Sequence, residues 1–193
     1  MDRKLDKLAK IISIVTLVPC IALLSLILLL IWGPHSFRNV PSAVLYVFCL
    51  SVMPILAYPL QKFFPKYRDK GRDGQRRLAF IFALCGYTLG LAASLILHSP
   101  VEYLAIFMSY FISGVVLSIF NLLHIKASGH ACGVAGQCVF CGYFIGGWGW
   151  LMLIFIPLVF WARLRMKRHK LLELVLGASI SAVTTAVLIL TLC

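Results

Sequence analysis

Acidic residues are scarce: the chain of 193 residues has 6 Asp and Glu against 18 Lys and Arg, and charged residues amount to only 12%. A soluble globular domain carries about 25% charged residues, so a surface that meets water on every side is excluded. No internal repeat or low-complexity tract stands out, which removes solenoids and flexible linkers from consideration. A cleavage signal is missing as well. The first apolar segment, Ile11 to Trp32, is too long for a signal-peptide core and has no small-x-small site, so it is expected to stay as a span. Nor is a disulfide framework expected. The 7 cysteines are odd in number, and nearly all lie in apolar runs where cysteine behaves as a small hydrophobe.

What is there is hydrocarbon. Hydrophobic residues make up 62% of the chain, and the mean hydropathy is +0.99. Long apolar runs at this composition point to an all-α, polytopic transmembrane helix bundle, a single integral-membrane domain over 1–193. The expected spans cover about 11–32, 42–60, 78–97, 103–123 and 171–192. Ala131 to Trp161 exceeds the roughly 20 residues one span needs, and Gly146-Gly147-Trp148-Gly149 interrupts it. It reads as a hairpin of two short spans, for a total of about seven (six to seven). The net charge of +12 would suggest nucleic acid in a soluble chain. Here the cations sit between spans, where they orient the chain and meet anionic headgroups, so no nucleic acid partner is expected. With the N-terminus on the cytoplasmic side, every Lys and Arg except Arg38 falls on that side. The reading places the protein in the cell membrane with its polar loops cytoplasmic.

Three polar islands break the oil: 61–77, 124–131 and 162–173. The last holds Arg163, His169 and Glu173. On a helix Glu173 would lie one turn from His169 and hold one imidazole nitrogen while the other faces out, which is how a nucleophilic or general-base histidine is oriented. Arg163 is expected to end the preceding helix. The middle island, Lys126-Ala127-Ser128-Gly129-His130, immediately precedes a span, so free backbone N–H groups and the helix dipole are available to an anion. The hairpin brings the three islands to one membrane face. Fixed cations (Lys70, Arg77, Lys126, Arg163), the Ser128 hydroxyl and the Gly129 amide suit a tetrahedral oxyanion such as phosphate. His169 and His130 supply attack on phosphorus and protonation of the leaving oxygen.

These residues resemble the type 2 phosphatidic acid phosphatase / vanadium haloperoxidase superfamily, whose motifs are K-x6-R-P, P-S-G-H and S-R-x5-H-x3-D. The third motif is matched by Ala162-Arg163, His169 and Glu173 at the right spacing, and the second by Ala127-Ser128-Gly129-His130. The first is matched by Lys70 and Arg77, though Arg76 or Arg72 would serve as its cation equally well. The match covers roughly the last two-thirds of the chain. Leu78, Ala127 and Ala162 replace two prolines and a serine, and Glu173 stands for aspartate, as in a divergent prokaryotic membrane branch. The resemblance implies phosphatase chemistry without metal or other cofactor, in which His169 forms a phosphohistidine and His130 serves as acid and then base. Lys70, Arg77, Ser128, Gly129 and Arg163 would bind phosphate, or vanadate in its place. The substrate would be a membrane lipid phosphate or diphosphate such as phosphatidate or an isoprenyl phosphate. A lipid phosphotransferase, or a catalytically lapsed relative that binds or moves anionic lipids, is the alternative. Oligomeric state is left open.

Several residues have plainer readings. Arg165, Lys167 and Arg168 form a collar reaching to headgroups, and His124 and Lys126 are interfacial. His35 and His98 belong to the far side. Cys132, Cys138 and Cys141 pack rather than bind metal, since Cys132 and Cys141 fall on opposite faces of one helix.

Overall fold

The computed structural model describes residues 3–193, and these are helical with no strand among them. Eight helices carry the architecture: α1 (Arg3–Val15), α2 (Val18–Trp32), α3 (Val40–Phe63), α4 (Gly71–Ile96), α5 (Val101–Leu122), α6 (Gly129–Ile145), α7 (Phe155–Arg165) and α8 (Leu171–Leu192). A 3-10 segment, Gly146–Ile154, joins α6 to α7. Five stretches are long and apolar enough to cross a membrane: α3, α4, α5, α8 and the continuous helical run Gly129–Arg165. The α1–α2 pair makes a sixth if taken as one bent span. Large aliphatic and aromatic side chains such as Ile96, Leu122, Leu172 and Leu190 face outward, as they do where the solvent is lipid.

The first expected span is broken. α1 and α2 meet at 59°, because the helix stops at Thr16-Leu17 ahead of Pro19, whose ring is accepted only in a first helical turn. Ile11 to Val15 therefore belong to α1, an amphipathic helix that packs on α7 and is tied there by Asp6 and Arg165 at 2.9 Å. The basic stretch 61–77 is not a loop either. It forms a 3-10 turn, a one-turn helix Pro65–Arg68, and the first two turns of α4. Arg72, Arg76 and Arg77 thus project from the head of a helix long and apolar enough to cross a membrane.

The run 129–165 folds back on itself. Gly146 ends α6 at φ +71°, a conformation that costs a residue with a Cβ dearly. Past that turn the Cys138 thiol meets the Met152 carbonyl oxygen at 3.0 Å, and Gly149 presses against the Cys141 carbonyl. Contacts between residues 138 and 152, and between 141 and 149, show two antiparallel arms. His130 and Arg163 consequently lie at the same end.

At that end α8 packs on α6. Gly177 sits directly on the Ser128 backbone, while the Ser181 hydroxyl bonds to the Cys132 carbonyl. Small residues let the two backbones approach in this way. Gly177→Leu should force α8 outward and destabilise the bundle by about 1–3 kcal/mol, measurable as a lowered midpoint in denaturing detergent. The opposite end holds Ser36 bonded to Glu102 (2.6 Å), Ser42 to Ser99 (2.9 Å), and the aromatic cluster around Phe37 and Tyr103. His98 lies at this far end, just past the α4 terminus, with φ +48° and its N–H donating to the Leu95 carbonyl.

Candidate functional site

At the basic end a cavity of about 660 Å³ opens between α2, α3, α4, α5, α6 and α8. Arg76 and Arg77 of α4, Lys126, Gly129 and His130 at the head of α6, and Arg168 and His169 of the α7–α8 turn all line its mouth. The three polar islands therefore meet at one opening.

The local chain geometry explains the placement. α7 ends with Lys167 in the left-handed region at φ +53°, and the Arg168 N–H donates to the Arg163 carbonyl at 3.0 Å. This closure turns the chain back over the helix end, so Arg168 and His169 hang above Arg163 rather than continuing outward. His169 precedes α8 instead of lying on it, and its pairing with Glu173 is not the helical one that spacing suggested. Glu173 is in the first turn of α8, and its Oε2 accepts from the Lys170 backbone N–H at 3.3 Å. The same oxygen lies 2.8 Å from His169 Nδ1. One carboxylate thus caps the helix and fixes the imidazole, leaving His169 Nε2 available at the cavity wall.

Arg163 is 4% exposed, sits behind the cavity wall, and leaves its Nε unpartnered. His130 Nε2 is likewise buried without a partner. Two unpaired nitrogens beside a cluster of uncompensated guanidinium groups are the situation expected where an anion belongs. The charge of Arg163 bears on both histidines, and so does that of Arg76. Among the described residues the one acid lining the cavity is Asp73, which lies 4.0 Å from Arg76.

Not every residue singled out by sequence arrives at the mouth. Ser128 is fully buried and does not line the cavity; its hydroxyl accepts from the Ala131 N–H at 3.4 Å as the cap of α6, and its own N–H donates to the Glu173 carbonyl at 2.9 Å. That role aligns α6 with α8 and holds the neighbouring Gly129 amide at the opening. Lys70 precedes α4 and does not line the cavity, whereas Arg76 and Arg77 do. Arg72 and Arg76, one turn apart, both act on Arg163 and Arg168 through their charge. Arg168, read from sequence as part of a headgroup collar, also lines the mouth. Arg72 and Arg76, offered by the sequence as alternatives for the first-motif cation, owe their joint placement to the helical i, i+4 spacing of the basic stretch. Among the described residues no three His, Cys, Asp or Glu side chains converge as a metal site would require.

Burial holds the His169 imidazole below its ordinary pKa, with Arg163 and Arg76 pushing the same way and Glu173 pulling it back up. The charged form is therefore disfavoured in the fold, and the ring is a neutral base near pH 7. If neutral His169 is the working form, kcat/KM should rise with pH through a limb below about 6.5 to a plateau, whose alkaline limit is set by loss of the proton that the leaving oxygen needs. Glu173→Gln removes the carboxylate that favours the imidazolium, so that limb should move to still lower pH while the plateau falls. The same shift makes protonation of His169 unfavourable to the fold, so its contribution to stability is present above the unfolded-state pKa and is lost as pH drops. A pH–rate profile of both proteins checks the order of the limbs.

No family model, characterised protein or solved structure gives a significant match to this chain.

Proposed function

We propose that the protein is a membrane-integral lipid phosphatase whose site is the basic cavity mouth. The observation that carries this reading is the meeting of His130 and a carboxylate-held His169 at one opening, from segments far apart in sequence, with the buried Arg163 charge bearing on both. Arg76, Arg77, Lys126 and Arg168 surround the same opening and offset the charge of a phosphate dianion. Binding would also relieve the repulsion these cations exert on one another when the site is empty.

His169 Nε2 attacks phosphorus in line with the leaving alkoxide. The P–N bond forms as the P–O bond breaks, and His130 passes its proton to the departing oxygen. The negative charge of the bound phosphate favours the imidazolium at His130 that this step needs. Water then attacks the phosphohistidine, His130 takes the proton, and inorganic phosphate leaves with His169 restored. Arg163 and the Gly129 N–H stabilise the oxygens that gain charge in the transition state.

The lipid tail of the substrate enters from the bilayer, because the cavity continues from its basic mouth into the apolar bundle. In this reading each arm of the 129–165 hairpin crosses the membrane, which gives seven spans with α1–α2 counted as one. The basic end then faces the cytoplasm under the positive-inside rule.

The deciding experiment measures phosphate release by purified protein from phosphatidate and farnesyl phosphate in mixed micelles, with chelator present. Turnover inhibited by orthovanadate is expected. Binding of vanadate, seen as a raised melting temperature, without turnover on either lipid would replace the phosphatase with a lapsed binder of anionic lipids.

A further inference from the structure

Below its basic mouth the cavity runs inward to a second polar zone that phosphate chemistry leaves unused. Gln137 is 2% exposed and lines the cavity; its Nε2 donates to the Tyr110 hydroxyl at 2.9 Å, while its Oε1 has no partner. Ser113, 3% exposed and also on the wall, has an Oγ without a hydrogen-bond partner, close to the weakly polar thiol of Cys132. Buried polar atoms left open cost free energy unless something fills them. One of the two is an acceptor in need of a donor, and the other is a hydroxyl able to donate.

The zone is in register with the mouth. Gln137 is seven residues past His130, two turns along α6 and on the same face, so it lies about 10 Å deeper. α5 runs toward the basic end, which places Ser113 about one turn nearer the mouth than Tyr110. Gly133 and Gly136 line the wall between, where their lack of a Cβ lets Val18 of α2 and Thr185 of α8 pack close.

Resting on the phosphatase reading, we propose that this floor is a specificity subsite for a hydroxyl or secondary amide carried by the lipid. Such a group supplies the donor that Gln137 Oε1 lacks and the acceptor that Ser113 can serve. An isoprenoid chain supplies neither. The favoured substrate class is therefore a lipid phosphate with a hydroxyl or amide about 6–10 Å from phosphorus, as in an N-(3-hydroxyacyl) amino alcohol phosphate, whose hydroxyl stands about eight bonds away.

The test compares three ligands of matched length on the full chain in detergent: the N-(3-hydroxyacyl) amino alcohol phosphate, its counterpart without the hydroxyl, and farnesyl phosphate. Binding is read with their uncleavable methylene phosphonates, and turnover with the phosphates. The hydroxylated ligand should bind at least about tenfold more tightly than the farnesyl ligand, because a site built around polar groups rejects a ligand that leaves them bare. Ser113→Ala, which gives up no more than a weak thiol contact within the protein, should erase most of that preference, and Gln137→Leu should do the same. Equal affinity for the three ligands, or a preference that survives Ser113→Ala, overturns the subsite and leaves the floor to water. If the binding preference holds but none of the three releases phosphate, the phosphatase reading falls and the subsite stands.

Discussion

His169→Ala should abolish phosphate release from every lipid phosphate, with a loss in kcat of at least about 10³-fold, while vanadate still raises the melting temperature. The size follows from the role. Removing a nucleophile takes away the covalent route altogether, and what survives is the part of the rate that comes from holding phosphate among cations. Vanadate binding should persist because Arg76, Arg77, Lys126 and Arg168 line the mouth independently of the imidazole. The variant should fold, since His169 lies in a turn and its only side-chain bond is to Glu173, which keeps its own bond to the Lys170 N–H. Release of phosphate by this variant at the wild-type rate would remove the covalent mechanism.

His130→Ala should be nearly as damaging on lipid phosphates, about 10²–10⁴-fold, but its defect should depend on the leaving group. An alkoxide departs badly without a proton, whereas p-nitrophenolate needs none. With p-nitrophenyl phosphate the first step should therefore proceed in the variant and the second should stall, because His130 also activates the water. The expected signature is a burst of p-nitrophenol close to one equivalent, and an acid-labile phosphoprotein that disappears when His169 is replaced as well. A variant equally slow on both esters, with no burst, would make His130 a binding residue instead.

The large features of the fold were legible because hydropathy and glycine placement are local signals. The helix over 171–192 follows from an unbroken apolar run, and the fold-back of the chain from the excess length of 131–161 with glycines at its centre. Other features depend on tertiary context. Ile11 to Trp32 is apolar throughout, and only Pro19 hints that α1 and α2 part at 59°. Charge in 61–77 masked a helix start, since hydropathy cannot distinguish a basic loop from basic turns at the head of a span. Ser128 has the same sequence signature whether its hydroxyl faces phosphate or caps α6, and the close approach of Gly177 on α8 decides for the cap. The pairing of His169 with Glu173 was readable from spacing, but the turn at Lys167 that makes it was not.

The turn at Gly146 has a reach that its distance from the chemistry conceals. Because α6 and the segment after it run antiparallel from that corner, its length sets the phase between the arm bearing His130 and the arm bearing Arg163. One residue inserted or deleted between 146 and 149, in the 3-10 segment on the opposite side of the bundle from the cavity mouth, would rotate the returning arm by about 120° and slide it by about 2 Å. Arg163 would then face away from both imidazoles with every side chain of the site intact. The far corner acts as a tuning peg for the basic end, and natural variation in its length would retune or silence the protein without touching a charged residue.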